Sequence, residues 1–487
     1  MMNLPVGPSI IWHLFGMFNT WSQLPIFRSP ISGHDIHYNS DEILRPAIIA
    51  PIAVDRMRRL GNMNEDDSYL PWASAGVVPI FVNDELSYRR NMHLVRVSVC
   101  HDGAVQKQIR NNSNGSSALR FLWKFSPEQN DGQQSQTLAF SSGNCSLVVQ
   151  LSTQGTYHIS LEVEQTFATG GSRALFVSKV MQPVRIHDYW IVALGDSFAS
   201  GEGNPDLPVQ RIEQRRNRVS SNYIVHPARW ISEKCHRSTK SWPFKVYEKL
   251  LALSNGHHSV IHFSFLACAG ASVARGISSS SEADNDAGIE SSQLDKVRSI
   301  SQIRGSGPDL LLMSVGGNDL GYSDILARLL QGGDADTQSL QLRFFYVSTQ
   351  LDRLGSALAS LQPSQTVTPH YFDISRNERG IIDTSCADLE GIHIESLRKA
   401  ERIILKRLNR MITEKGEKFG WTVVGEEVDK LFKTAGMCSS RSLIRNSEDS
   451  LRLQGDYFGA FHPTEEAHSR IAEHVFRKVN FRALLPT

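Results

Sequence analysis

Three short, continuously apolar runs constrain the fold of this chain more than any other feature of its sequence. They cover residues 189–194, 259–266 and 309–315, and each ends in a segment of small or polar residues. Strands that are apolar throughout are typical of parallel sheets covered on both faces. Helical spacing of apolar residues recurs over 244–253 and 393–412. We therefore predict βαβ units in an open, doubly wound α/β sheet.

Two weaker runs, 367–372 and 421–424, extend the predicted sheet, and an amphipathic helix with Ala467, Ile471, Val475 and Phe476 closes the chain. The polar segment 278–288 predicts a surface loop.

The amino-terminal part has a different pattern of apolar and polar residues. Short runs rich in β-branched and aromatic residues alternate apolar with polar positions and are separated by turn-forming residues at 111–117 and 126–135. This pattern predicts an antiparallel, immunoglobulin-like β-sandwich over residues 76–187. The predicted strands are 93–100, 119–125, 145–151 and 156–163. Residues 1–75 show no clear period and predict an irregular segment, and the α/β domain covers 188–487.

The bulk properties exclude some classes of partner. The formal net charge is +1, and no basic run has interleaved aromatic residues, so we expect no nucleic-acid partner. No run reaches the roughly 18 apolar residues that a membrane span needs. The apolar segment 9–18 is short and lacks a basic flank, so no signal peptide is evident.

The cysteines favour disulfide bonds over a metal site. Their number is even and no pair has the CxxC spacing of a zinc ligand set. Six cysteines allow about fifteen complete pairings, so the connectivity stays open, with sequential pairing our expectation. The alternative is a cytosolic protein with six reduced cysteines. The expected pairs are Cys100–Cys145, Cys235–Cys268 and Cys386–Cys438.

Disulfides persist in oxidising compartments, so we expect a secreted or otherwise extracytoplasmic protein. Three N-x-S/T triplets, at Asn111, Asn114 and Asn144, are candidate glycosylation sites and agree with this expectation.

Four segments carry residues with catalytic chemistry. Ser197 follows the first apolar run after Gly195 and Asp196, where a strand end would expose its hydroxyl. Gly270 follows the second run, and Asn318 follows the third, each able to donate an N–H to an oxyanion. His462 precedes a proline near the carboxyl terminus, as a candidate general base. Each motif alone is also compatible with an ordinary turn.

Together, these segments resemble the GDSL/SGNH hydrolase family, which is named for a Ser, Gly, Asn and His in four ordered blocks. The resemblance covers roughly residues 188–487 and implies a flavodoxin-like three-layer α/β/α domain. It implies a serine esterase or lipase in which Ser197 is the nucleophile and His462 its base. The oxyanion hole would consist of the N–H groups of Ser197 and Gly270 and the side chain of Asn318.

A closer likeness concerns the disulfides. Cys235, Arg237 and Ser238 resemble a segment of the secreted, disulfide-containing branch, which implies the 235–268 pair. A similar pairing before the histidine loop supports 386–438.

One departure from the family pattern lies beside the histidine. The family usually has an aspartate three residues before it, and this chain has Gly459. Either a backbone carbonyl near Gly459 orients His462, or Asp456 reaches it, or the enzyme is slow or inactive. We favour the carbonyl.

The resemblance implies a small-molecule or lipid ester substrate, no metal and no organic cofactor. We expect a monomer whose sandwich contacts a carbohydrate, a lipid surface or another protein. The alternative is a weak or inactive hydrolase-like scaffold protein whose sandwich makes the functional contacts.

Overall fold

The structure is a computed structural model of the 487-residue chain. It describes residues 47–49, 81, 83–85, 87, 93–100, 109–110, 117–128, 137–151, 155–167, 171–180, 184–216, 219–254, 259–279, 291–333 and 339–481.

Strands and helices alternate in the carboxyl-terminal part, and strands alone occupy most of the described amino-terminal part. The strands are β1 Ala47–Ile49, β2 His93–Ser98, β3 Ser117–Pro127, β4 Leu138–Ser142, β5 Ser146–Leu151, β6 Gly155–Phe167, β7 Gly171–Val180, β8 Val184–Gly195, β9 Gln210–Arg216, β10 Val219–His226, β11 Ser259–Phe265, β12 Leu310–Ser314, β13 Thr366–Pro369 and β14 Thr422–Val424. The helices are α1 Ser197–Ser200, α2 Trp242–Ser254, α3 Gln293–Arg304, α4 Gly317–Leu320, α5 Tyr322–Leu330, α6 Leu340–Leu361, α7 Ile394–Ala400, α8 Lys406–Phe419, α9 Glu426–Phe432, α10 Ser447–Leu453 and α11 Glu465–Phe476. A π-helical segment, Glu401–Leu405, joins α7 to α8.

The predicted parallel sheet is present. Its strands lie in the order β11-β8-β12-β13-β14, and all four neighbouring pairs are parallel. Numbered from β8, this order is 2-1-3-4-5, which is the flavodoxin-like arrangement. The three strongest apolar runs of the sequence form the adjacent strands β8, β11 and β12, and every residue of β12 is buried. Their carboxyl ends therefore lie side by side.

The helices pack around this sheet. Helix α2 contacts β11 and α11, and α6 contacts α4 and α8. The carboxyl-terminal helix was predicted from its spacing, and α11 buries Ala467, Ile471 and Val475. The predicted helix over 393–412 is interrupted by the π-helical segment, and the long helix α6 was not predicted.

The amino-terminal strands are antiparallel. One sheet has the order β1-β2-β5, and β3 pairs with β4 and β6, while β6 also pairs with β7. Side chains of both groups share one buried cluster: Val97, Val99, Phe121, Trp123, Phe125, Val149, Tyr157, Ile159, Leu161 and Val163. The four predicted strands are present, while β4 and β7 were not predicted. In the segment 1–75, expected to be irregular, the described residues form β1.

Strand β8 belongs to both regions. Its first residues pair antiparallel with β6, from Val184 to Ile186, and its later residues pair in parallel with β11 and β12. The predicted domain boundary at 187/188 therefore falls inside a strand, because one long strand serves both sheets. The immunoglobulin-like sandwich as a separate domain stays a prediction.

The structure contains all three expected disulfides, Cys100–Cys145, Cys235–Cys268 and Cys386–Cys438. Asn144 is exposed, whereas Asn111 and Asn114 lie outside the described residues, as do residues 280–288 of the predicted surface loop. Within the described part of the chain, no helix combines the length and apolar character that crossing a bilayer demands.

Candidate active site

Ser197 lies at the carboxyl end of the central strand β8, as the first residue of the short helix α1. Gly195 adopts a φ of 129°, and a Cβ there would lie 2.3 Å from the Ser314 carbonyl oxygen of β12. Only glycine fits this close approach between neighbouring strands. The serine is thereby held at the strand tip, as the sequence predicts.

The hydroxyl of Ser197 contacts the imidazole of His462, although 265 positions separate them. The Oγ–Nε2 distance is 2.8 Å, and the other ring nitrogen, Nδ1, lies 3.1 Å from the Ala460 carbonyl oxygen. Because a carbonyl can only accept, the neutral ring carries its proton on Nδ1 and leaves Nε2 as the acceptor. Ser197 Oγ–H therefore donates to His462 Nε2, which is the arrangement that a general base needs.

The group beside Nδ1 is a backbone carbonyl near Gly459, that of Ala460, and neither the Gly459 carbonyl nor Asp456 bonds to the ring. The Gly459 carbonyl instead accepts from the backbone N–H of His462 at 3.3 Å. Asp456 Oδ1 accepts from the Gln454 side chain at 2.8 Å and from the Phe458 backbone at 2.9 Å. The orienting role of the Ala460 carbonyl stays a prediction. The positive φ of Phe461, 66°, accompanies this tight turn before the histidine.

The second and third blocks are joined by hydrogen bonds. Asn318 Nδ2 donates to the Ala271 carbonyl at 2.9 Å, which leaves its second N–H proton for another acceptor. The Asp319 carboxylate accepts from the Val273 backbone N–H at 2.9 and 3.1 Å. These bonds fix the loop after β11 against the loop after β12.

Gly270 lies in the loop after β11, but it lines a different cavity from Ser197. Ser197, Asn318 and His462 line one cavity, while Gly270 lines a neighbouring cavity together with Arg237. The place of Gly270 in an oxyanion hole therefore stays a proposal.

A buried polar network surrounds Asp196, the residue before Ser197. Asp196 accepts hydrogen bonds from Ser314 Oγ at 2.6 Å and from the Tyr371 hydroxyl at 2.6 Å, and it caps α1 through the Phe198 backbone. The Tyr371 hydroxyl in turn accepts from the Gly317 N–H at 3.0 Å. Burial raises the pKa of Asp196, and these hydrogen bonds and His462 counteract it. The network links the tips of β8, β12 and β13.

Arg445 and Asn204 tie the serine loop to the histidine loop. Asn204 Nδ2 donates to the Pro463 carbonyl at 2.9 Å, and Arg445 Nε donates to the Gly203 carbonyl at 3.1 Å. The Arg445 backbone N–H donates to the His462 carbonyl at 2.7 Å. One residue therefore contacts both catalytic loops, one through its side chain and the other through its backbone.

An apolar cavity opens beside Ser197 and His462. Helices α4, α5 and α7 and the π-helical segment supply most of its wall. Its apolar lining includes Leu320, Ile325, Leu326, Leu397, Ile404 and Phe461. Pockets that bind small ligands are usually lined in this way, by apolar side chains with a few polar groups.

Sequence reasoning missed several residues of this site. Asn204 lies in the glycine-rich segment after Ser197, and this motif could have identified it as a residue of the site. Glu202 lies in the same glycine-rich segment, and His236 lies in the Cys235–Ser238 segment. The remaining missed residues are single polar side chains without a motif: Ser314, Tyr371, Arg445 and Gln454.

A family profile described as GDSL-like Lipase/Acylhydrolase matches residues 191–475, more than half of the chain. A lipase from Streptomyces rimosus is 27% identical over 237 residues, which cover 45% of this chain and 70% of that protein. Lipase 1 from Streptomyces coelicolor is 25% identical over 301 residues, covering 60% of this chain and 86% of that protein. The solved structure of an extracellular lipase from S. rimosus aligns with a TM-score of 0.40 and 21% identity, over 60% of this chain and 100% of that chain. The matched span contains Ser197, Asn318 and His462.

Proposed function

Because this chain belongs to the GDSL-like lipase/acylhydrolase family, we propose that it is a carboxylic ester hydrolase with Ser197 as nucleophile and His462 as base. One observation carries the proposal. The Ser197 Oγ to His462 Nε2 distance is 2.8 Å, at the mouth of an apolar cavity. This is the contact through which a histidine activates a serine hydroxyl.

The reaction proceeds through an acyl-enzyme. His462 takes the hydroxyl proton as Ser197 Oγ attacks the ester carbonyl, and the tetrahedral oxyanion forms. Protonated His462 then donates this proton to the leaving alcohol as the carbon–oxygen bond of the ester breaks. A water molecule, deprotonated by His462, hydrolyses the acyl-enzyme and restores Ser197.

The oxyanion is stabilised by donors on three strand tips. We assign this role to the backbone N–H groups of Ser197 and Gly270 and to the Nδ2 group of Asn318. The bond from Asn318 to the Ala271 carbonyl supports the assignment, since it holds the amide in a fixed orientation.

The apolar cavity is the proposed site for the acyl chain. Its wall of leucine, isoleucine and phenylalanine side chains has no directional preference, so it suits a hydrocarbon chain better than a sugar. The substrate class is therefore an ester of a medium or long acyl group.

Three disulfides and the exposed Asn144 support an extracytoplasmic location for this enzyme. The buried cluster shared by the antiparallel strands supports an accessory β-sandwich, available for contact with a carbohydrate, a lipid surface or a protein.

The test is hydrolysis of p-nitrophenyl acetate, butyrate and octanoate by the wild type and by Ser197→Ala. We expect turnover by the wild type and a loss of at least about 1000-fold in kcat in the variant, because the nucleophile is removed. Ser469→Ala, at a partly exposed serine on α11, is the matched control and should retain wild-type rates. A fluorophosphonate probe should label Ser197 alone.

The alternative, that the chain is an inactive hydrolase-like scaffold, predicts the opposite result. Folded wild-type protein would then neither turn over any ester nor react with the fluorophosphonate. Equal turnover by Ser197→Ala would also contradict the proposed nucleophile.

A further inference from the structure

The position where the family usually has an aspartate cannot hold a side chain in this fold. A Cβ on Gly459 would lie 2.5 Å from the Cα of Gly203, and 2.9 Å from both Gln454 Oε1 and Ser450 Oγ. Real Cβ atoms do not approach backbone this closely. The glycine is therefore a packing requirement, and any carboxylate that supports His462 must come from elsewhere.

Gln454 occupies the space beside Gly459 and bridges the two catalytic loops. Its Oε1 accepts from the Gly203 backbone N–H at 3.1 Å. Its Nε2 donates to Glu202 Oε1 at 2.6 Å and to Asp456 Oδ1 at 2.8 Å. The bridge connects the loop after Ser197 to the loop before His462.

Glu202 is a buried carboxylate with a charged partner. It is 3% exposed, and its two oxygens lie 2.8 and 2.7 Å from His236 Nδ1. The His236 ring stacks on Trp230 at a centroid distance of 4.6 Å. A carboxylate in such a place stays ionised only when it is paired and hydrogen-bonded.

The surrounding charges agree with an ionised pair. Burial acts to raise the pKa of Glu202, but His236, His462 and the Gln454 hydrogen bond bring it below its ordinary value. Burial acts to lower the pKa of His236, but Glu202, with Asp456 and Glu233, raises it above its ordinary value.

Asp456 lies across the Gln454 amide, and Arg445 contacts the neighbouring Gly203 carbonyl. Two buried carboxylates on the serine loop, Asp196 and Glu202, interact electrostatically with His462, and Glu202 is the one that Gln454 links to the histidine loop.

We propose that Glu202 is the positioning carboxylate for His462, held by His236 and linked to the histidine loop through Gln454. It does the work of the missing aspartate from the serine loop. Its backbone N–H donates to the Ser197 carbonyl at 3.2 Å, but its carboxylate bonds to His236 and Gln454, so the carboxylate acts through the loop geometry and through its charge on the imidazolium that forms during catalysis. The inference rests on the proposed function.

The test compares Glu202→Gln with the wild type on p-nitrophenyl butyrate between pH 5 and 9. The variant keeps the shape and loses the charge. We expect kcat to fall about tenfold, with KM within about twofold, because the imidazolium loses a stabilising charge while Ala460 still holds the ring tautomer. The acid limb of the kcat/KM profile should move to lower pH by roughly 0.5 unit, since protonated His462 is less favoured.

Two further variants separate charge from packing. Glu202→Asp keeps the charge and should retain the wild-type acid limb. His236→Asn removes the counter-charge and tolerates the positive φ of 47° at this position, and its acid limb should not move to lower pH.

Each outcome decides the proposal. A wild-type kcat and pH profile in Glu202→Gln overturns it, as do equal losses in Glu202→Gln and His236→Asn with an unmoved acid limb. If Glu202→Gln does not fold, Gln454→Met decides: a severalfold fall in kcat at unchanged KM supports the proposal, and wild-type kcat overturns it. Absence of wild-type turnover would instead contradict the proposed function itself.

Discussion

The two sides of the active site are built by different physical means. Behind Ser197 and His462 lies a polar wall, formed by Glu202, Asn204, His236, Arg445 and Gln454. In front lies an apolar wall, formed by α4, α5, α7 and the π-helical segment around the cavity.

The polar wall is held by directional bonds, each of which joins two separate segments of chain. Loss of one partner leaves a buried donor or acceptor unsatisfied, so this wall tolerates little change. The apolar wall is held by packing, which has no direction and tolerates moderate changes in volume. From this comparison we propose that the polar wall sets the reaction geometry and the apolar wall the choice of substrate.

The largest effect should come from a substitution at Gly459, where the histidine loop packs most closely against the serine loop. Gly459→Asp restores the family's usual residue, but its Cβ would lie 2.5 Å from the Gly203 Cα. The two loops must then separate, and a shift of about 1 Å at the reacting atoms costs about 100-fold in rate. We expect at least that loss in kcat, with measured kcat and near-UV circular dichroism as the readouts.

The matched control is Gly143→Asp, where a Cβ meets no atom within 4 Å. It should keep wild-type activity. A Gly459→Asp variant as active as the wild type would show that the glycine is not required by packing.

An intermediate effect should come from narrowing the apolar wall. Leu326→Trp adds volume at a cavity-lining position that is 9% exposed. The ratio of kcat/KM for octanoate over acetate should fall about tenfold, because a pocket discriminates chain length through the volume it offers. Leu342→Trp, at a position that is 71% exposed, should leave the ratio unchanged. An unchanged ratio in Leu326→Trp would place the acyl chain elsewhere.

The smallest effect concerns Asp206 and the dependence of the free energy of unfolding on pH. Asp206 accepts from the Thr239 backbone at 2.9 Å and from its hydroxyl, and burial raises its pKa to about 6. The folded state thus favours the protonated carboxyl. Its contribution to the free energy of unfolding is fully present below the unfolded pKa of about 3.9, and is lost as pH rises through about 6.

Asp206→Asn should remove this decline, because its amide is neutral over the whole range. As the pH rises from 4 to 7, the Tm of the variant should increase by a few degrees relative to that of the wild type, as measured by thermal unfolding. Asp324→Asn, on the half-exposed partner of a surface ion pair, is the control. A difference in Tm that stays constant over this pH range would contradict the assignment.

The α/β class and the strand tips were predictable from the sequence because they depend on local patterns. Strands buried on both faces must be apolar throughout, so the runs that became β8, β11 and β12 were visible before any tertiary contact was known. Ser197, Asn318 and His462 followed from motifs at the ends of these runs and near the carboxyl terminus. The helix α6 and the strands β4 and β7 lacked an equally clear pattern.

The sequence by itself determined which residues are the candidates for catalysis, since the residue types and their order along the chain are enough to mark them. Only the tertiary structure decided which groups support them. Ala460 rather than Gly459 lies beside the imidazole, and Gln454, Arg445 and Glu202 join loops about 250 positions apart. Such pairings depend on distances across the fold, because a polar side chain at one position has no local signal for its partner at another. Likewise, only the tertiary structure showed that strand β8 belongs to both sheets, because one part of it pairs antiparallel with β6 and another part pairs in parallel with β11.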